Sequence, residues 1–219
     1  MTTTMKANGA SAEIEATDID TVHLRRLRKQ TDVIRVVGLA PLIVHAWSHK
    51  ARQMMLDKQQ GKATKKDPKD PIEDFEASRY RLDDGTDGFP APGLKAAIAD
   101  AARFFDSLTI VQTKQLFFIE GVTTAAGDPL VRILDDNGNP AVPSMREDMV
   151  RIGPGTADIR YRAQYWPWSM DVRLTYLPQQ ITAESIAALV DAAGNGGIGE
   201  WRPSAPKGKG GTFGRFEVA

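Results

Sequence analysis

An α+β fold of the ferredoxin-like (RRM-like) kind, a split β-α-β sandwich with β-hairpin and helical insertions, is what this sequence predicts. Three observations carry the prediction. Residues 92–105 and 182–193 repeat apolar side chains at helical spacing. Residues 168–177 alternate apolar and polar side chains in the manner of a half-buried strand. With the hairpin-rich middle set aside, the element order is strand, helix, strand, strand, helix, strand, which is the order of the split β-α-β sandwich.

Each element has a local reason. Residues 33–39 are rich in β-branched side chains and read as a strand, extended past Pro41 by Leu42, Ile43, Val44 and His45. Ser48 is placed to cap a helix to about Gln60, with Ala51, Met54 and Met55 on one face and Gly61 as its stop. Residues 62–70 form an exposed lysine-rich loop, and Asp70-Pro71 begins a short helix through Tyr80. The Asp-rich stretch 83–88 is turn chemistry; it lacks the spacing and closing Glu of a calcium loop. Leu94, Ala97, Ile98, Ala101 and Phe105 form the stripe of the helix at 92–105. Strands are expected at 114–120 and 130–134, a tight Asn-Gly turn at 136–140, and further strands at 148–152, 157–165 and 168–177. Thr182 caps the last helix, whose buried stripe is Ile186, Leu189, Val190 and Ala193, with Gly194 as its stop. A strand at 212–218 ends the chain. Residues 1–30 read as a mobile N-terminal arm, and 31–219 as one domain with insertions at about 46–90 and 121–167.

Composition bounds the function. Apolar residues make up 42% of the chain, enough for a core. The 28 basic and 28 acidic residues cancel, which excludes binding through overall positive charge but leaves room for a local basic patch. With no cysteine, disulfides and thiolate-ligated zinc are excluded. No apolar run is long enough to span a bilayer and the N-terminus has no signal-peptide core, so a cytoplasmic protein without a membrane partner is expected.

The richest signal lies between the last helix and the last strand. There Gly197, Gly199, Gly210, Gly211 and Gly214 are threaded with Trp201, Arg202, Lys207, Lys209 and Arg215. Glycine allows positive φ and close approach of another backbone, while cations and an aromatic face suit phosphates and a stacked base. The loop is anchored at both ends, unlike a linker. Combined with the element order, the pattern Gly-Ile-Gly…Gly-Gly-Thr-Phe-Gly-Arg-Phe resembles the RAMP superfamily, with Phe213 and Phe216 as the loop's apolar partners. The resemblance spans residues 168–218, and elsewhere rests on element order. These are RNA-binding proteins of CRISPR effector complexes, in which a glycine-rich loop before the final strand contacts RNA. The chain is more similar to their backbone-subunit type than to the crRNA-processing type, and it also has the look of small proteins encoded by phages and prophages. Two features depart from the pattern: the chain is short for a backbone subunit, and Glu200-Trp201-Arg202-Pro203 interrupts the loop.

Further candidate phosphate contacts are Lys50, Arg52, Lys62, Lys65, Lys66, Arg160 and Arg162, with Tyr161, Trp166 and Trp168 as candidate stacking faces. A solvated lysine loop and core tryptophans are the plainer reading of part of this set. His45 and His49 are spaced to share a metal on a helix, but no further ligand accompanies them, so no metal or cofactor is expected. A histidine near the end of the first strand is used as general acid or base by RNA-processing members of the resembled family, which marks His45. No phosphate-binding or nucleophile motif is present. The expectation is therefore a binding protein, with no catalytic residues. It would hold single-stranded nucleic acid, RNA ahead of DNA, as a homo-oligomer or within a multi-subunit ribonucleoprotein. The alternative is a phage structural or interaction protein with no nucleic-acid ligand.

Overall fold

The computed structural model describes residues 24–47, 49–62, 68–153, 155–206 and 210–219. The expected N-terminal arm falls largely outside them; residues 24–29 are irregular and exposed. In chain order the elements are β1 (Gln30–Gly38), β2 (Leu42–Val44), α1 (His49–Gln59), α2 (Pro71–Ala77), β3 (Gly88–Pro90), α3 (Ala91–Asp100, continued by a 3-10 turn Ala101–Phe104) and α4 (Ile110–Leu116). There follow β4 (Phe117–Glu120), β5 (Val122–Thr123), β6 (Pro129–Arg132), β7 (Ser144–Gly153), β8 (Thr156–Tyr165), β9 (Ser169–Tyr176), α5 (Ala183–Gly196) and β10 (Phe216–Val218).

The main sheet has the order β10-β1-β9-β4, with every neighbouring pair antiparallel. Strands β1 and β4 are therefore parallel to each other with β9 inserted between them, and α3 lies in the connection. By the same logic β9 and β10 flank β1, with α5 in their connection. These are two interlocked split β-α-β units. The alternation of β9 decides which face is covered: Met170, Val172, Leu174 and Tyr176 are buried, whereas Asp171 and Arg173 are exposed. Leu94 and Ile98 of α3 join Ile186, Leu189 and Val190 of α5 over that face, in one apolar cluster. The two helices touch each other as well as the sheet, so both lie on the same side. Each fully buried Leu or Ile there contributes about 1.5–3 kcal/mol.

The remaining strands form two small sheets, β2-β8-β7 and β3-β6-β5. Strand β2 thus leaves the main sheet instead of extending β1, and it pairs with β8 at the base of the long β7–β8 hairpin.

Four local expectations are corrected. The strand expected from Lys114 begins only at Phe117. Thr109 and Gln112 form a reciprocal cap that launches α4, and the Thr113 hydroxyl donates to the Thr109 carbonyl at 2.8 Å. Gly194 does not stop α5. It lies inside the helix, where a Cβ would come within 1.7 Å of the Phe216 carbonyl oxygen, and Gly197 (φ +68°) ends the helix instead. The strand expected over 212–218 is reduced to β10, because Gly214 turns the chain at φ +65°. The turn at 136–140 forms, closed by Asn137 and Asn139 backbone N–H groups donating to Asp135 Oδ1 (2.9 and 2.7 Å), but its flanks make only isolated bridges.

Candidate nucleic-acid interface

The glycine loop is stitched to the corner between β1 and β2. Gly214 N–H donates to the Pro41 carbonyl (2.8 Å), Glu200 N–H to Ile43 (2.9 Å), and Ile198 N–H back to Gly214 (3.0 Å). These contacts explain the glycines. A Cβ on Gly199 would lie 2.4 Å from the Ile43 oxygen, and one on Gly214 would lie 1.8 Å from the Ile198 oxygen. Gly197, Gly210 and Gly211 are likewise pressed against the loop's own backbone. The close approach anticipated for a ligand is taken up by the protein itself.

The loop presents side chains to the hairpin. Trp201, half-buried at φ +50°, leans on Phe213 with ring centroids 6.3 Å apart. The Arg162 guanidinium of β8 sits 4.4 Å from the Trp201 ring centre, and Arg146 of β7 sits 4.8 Å from that of Phe213. Arg202 folds back, its Nη1 donating to the Gly199 carbonyl (2.8 Å) and its Nε to Ser204 Oγ (3.2 Å). Glu200 reaches between a guanidinium and an imidazole, 3.8 Å from Arg162 Nη2 and 3.9 Å from His45 Nδ1. Both distances are too long for hydrogen bonds.

Helix α2 brings His45 to this place. Asp70 caps it by accepting from Ile72 and Glu73 N–H (2.9 and 3.1 Å), with Pro71 at its first position. At its other end the Ser78 hydroxyl donates to Phe75 O (2.6 Å) and accepts from Ala163 N–H of β8 (2.8 Å), while the Ser78 carbonyl accepts from Ala46 N–H (2.8 Å). One serine therefore ties α2, β8 and the segment after β2. The Tyr80 hydroxyl adds a donation to the His45 carbonyl at 3.2 Å.

Two clefts meet at His45. The larger, of about 620 Å³, is lined by Tyr80, Phe89, Arg103, Lys114, Glu200 and Arg202. The smaller, of about 210 Å³, is lined by Lys69, Asp74, Asp158, Arg160, Tyr161 and Arg162. Lys69 and Arg160 both pair with Asp158, at 2.5 and 3.5 Å. Burial holds the His45 imidazole below its ordinary pKa, with Arg162 adding to the effect and Glu200 opposing it. Burial also pushes the Arg162 guanidinium down and the Tyr80 hydroxyl up. Arg162 is only 3% exposed, and its Nε and Nη1 have no hydrogen-bond partner.

Of the residues expected to bind, the fold brings together Arg160, Arg162, Trp201 and Arg202. Arg52 lies over the Trp47 ring (5.1 Å), Lys62 pairs with Asp57 (3.7 Å), and Arg215 is exposed next to β10. Lys65, Lys66, Lys207 and Lys209 lie outside the described residues, as do the side chains of Lys50 and His49. Trp168 is withdrawn as a stacking face: it is buried in the core, and its Nε1 donates to the Ala40 carbonyl (2.8 Å). Trp166 is exposed. Lys69 joins the site from the end of the lysine-rich loop at 62–70, and Tyr80, Arg103, Lys114 and Arg146 join it without any signal in their local sequence. Glu200 had one, as part of the interruption in the loop pattern.

Fold and site together define an α+β protein of split β-α-β topology with a basic, aromatic-lined double cleft beside a self-packed glycine loop. No protein-family model matches the chain, and no curated protein matches it in sequence. Among solved structures it is similar to the crystal structure of Cmr6 from Pyrococcus furiosus, over 89% of this chain and 100% of that one, at 10% identity and a TM-score of 0.38. A likeness this distant fixes neither family nor function. Among the described residues, no helix is long and apolar enough to cross a membrane.

Proposed function

We propose that the chain binds single-stranded nucleic acid and assembles side by side along it, as a binding protein and not an enzyme. The observation that carries this reading is the convergence of His45, Arg160, Arg162, Trp201 and Arg202 from three separate segments around adjoining clefts. The larger cleft is of the size and character that takes a small organic ligand or one base, with cations at its rim for phosphates. RNA is put ahead of DNA because the loop pattern resembles that of RNA-binding RAMP proteins. Exposed Met54, Met55 and Leu56 on α1, and Met149 and Ile159 on the hairpin, would supply apolar contacts between neighbours.

Those same apolar residues favour a second reading, an interaction protein of phage type that touches no nucleic acid. Titration of a labelled single strand at several salt concentrations separates the two. Phosphate contacts release counterions, so the first reading expects affinity to fall steeply with salt and to depend little on base sequence. The triple variant Arg202→Ala, Lys207→Ala, Lys209→Ala should lower the salt slope by about one unit per lost contact while the protein stays folded. A flat salt response, or no binding at low salt, leaves the interaction protein.

A further inference from the structure

We infer that Arg162, His45 and Glu200 form a phosphate-group subsite that the protein's own carboxylate occupies in the free state. This rests on the nucleic-acid reading for its biological ligand but not for its chemistry.

A guanidinium taken out of water normally has its donors met by carboxylates or carbonyls. Arg162 is 3% exposed, yet Nε and Nη1 are unpartnered, and the nearest carboxylate stands off at 3.8 Å from Nη2. Its flat face is already taken by Trp201, which holds the guanidinium in place. Nε and Nη1 are closed to solvent and lie on different edges of the guanidinium, so Nη2, the group that Glu200 approaches, is the donor an incoming anion meets first. The adjoining cleft of about 210 Å³ is below the usual range for drug-sized ligands and suits a compact anion. Its other cations are Lys69 and Arg160, both already paired with Asp158.

Glu200 has the position of an internal competitor. Its two oxygens face His45 and Arg162 from the glycine loop, at distances that satisfy neither. It lines the larger cleft, Arg162 lines the smaller, and His45 lines both, so the three side chains form the partition between them. A phosphate entering there displaces the carboxylate, accepts from Arg162 Nη2, and accepts a hydrogen bond from His45. Sequence motifs do not show this, because the three residues come from β8, the end of β2 and the loop.

The test uses the full chain, with inorganic pyrophosphate as the probe in calorimetry and with the guanidinium signals of Arg162 followed by NMR. Glu200→Gln should tighten pyrophosphate binding several-fold, since the competitor loses its charge while keeping its size. Arg162→Lys should weaken it at least tenfold, because an ammonium cannot place a donor where the planar guanidinium, held against Trp201, fixes Nη2. The Arg162 Nη2 resonances should shift downfield on binding in the unmodified chain, a readout that needs no variant to fold. Unchanged or weaker binding by Glu200→Gln, or an Arg162 signal that does not move, overturns the proposal. Strand binding that pyrophosphate neither competes with nor shifts at Arg162 overturns the subsite and leaves the nucleic-acid reading standing. Pyrophosphate held at Arg162 by a chain that binds no strand supports the subsite and removes that reading. Where both bind, preference for a 5′-phosphorylated over a 5′-hydroxyl strand assigns a terminal monoester, and equal affinity assigns a backbone diester.

Discussion

Arg79, just after α2, and Arg162, next to Ala163 in β8, stand on either side of the same helix-to-strand contact and are solvated in opposite ways. The Arg79 Nε donates to both oxygens of Asp87 (3.2 Å each), Nη2 adds a third donation to Asp87 (2.8 Å), and Nη1 reaches both oxygens of Glu76 (3.1 Å each). Asp87 is itself only 1% exposed, so its carboxylate has no water to fall back on. Arg162 is more deeply buried and has no such partners. The first pair closes on itself and acts as a strut between α2 and β3. The second leaves two donors unmet beside a cleft. Burial of a cation is therefore no guide to its purpose until its hydrogen bonds are counted.

The sharpest way to break this comparison is to remove each charge. Arg79→Met strands a buried Asp87 carboxylate and should cost about 3–5 kcal/mol, read by urea or thermal unfolding. Arg162→Met leaves no carboxylate hydrogen bond broken and should move stability by no more than about 1 kcal/mol. Equal losses in the two variants would mean that Arg162 is also a strut.

A second pair compares glycines at similar dihedral angles. Gly214 (φ +65°) faces the Ile198 oxygen, whereas Gly155 (φ +74°), at the hairpin turn, has no atom within 4 Å of the place a methyl group would take. Gly155→Ala should cost about 1–2 kcal/mol, the strain of the left-handed backbone alone. Gly214→Ala adds overpacking and should cost at least about 3 kcal/mol. Melting curves of both variants decide whether the loop's glycines serve close packing or only its turns.

The smallest effect is a pH dependence that sharpens the account of the unpaired side. Arg162 and Arg160 of β8 disfavour the His45 imidazolium, and Glu200 of the loop and Asp74 of α2 favour it, but burial outweighs them. The folded pKa lies below the ordinary value of 6.5, so the unfolded chain takes up the proton first as pH falls. His45 therefore withdraws stability as pH drops from about 6.5 through its folded pKa, and restores it above. His45→Gln should flatten unfolding curves over that window. A bound phosphate group favours the imidazolium, so anion affinity should run the other way and rise as pH falls through the same range.

Much of the frame was legible in the chain alone. Apolar periodicity marked α3 and α5, alternation marked β9, and Asp70 and Thr182 were read correctly as caps. Each of these signals acts within a turn of helix or between alternate residues of a strand. The misreadings came where local signals conflicted. At residues 114–116 the Thr109–Gln112 cap prevailed over strand-forming side chains, and at Gly194 a neighbouring backbone from β10 required a glycine inside the helix.

The main layers, much of the element order and the glycine loop rich in cations could be read from the chain, because these depend on spacing along it. What the loop packs against came from the folded structure alone. Its glycines admit the protein's own carbonyls, its tryptophan is covered on one side by Arg162, and its glutamate stands between Arg162 and His45. That conjunction depends on β2 leaving the main sheet to pair with β8 and on the loop bonding to the β1–β2 corner. Such long-range pairings are set by packing of the whole core, and no short-range pattern encodes them.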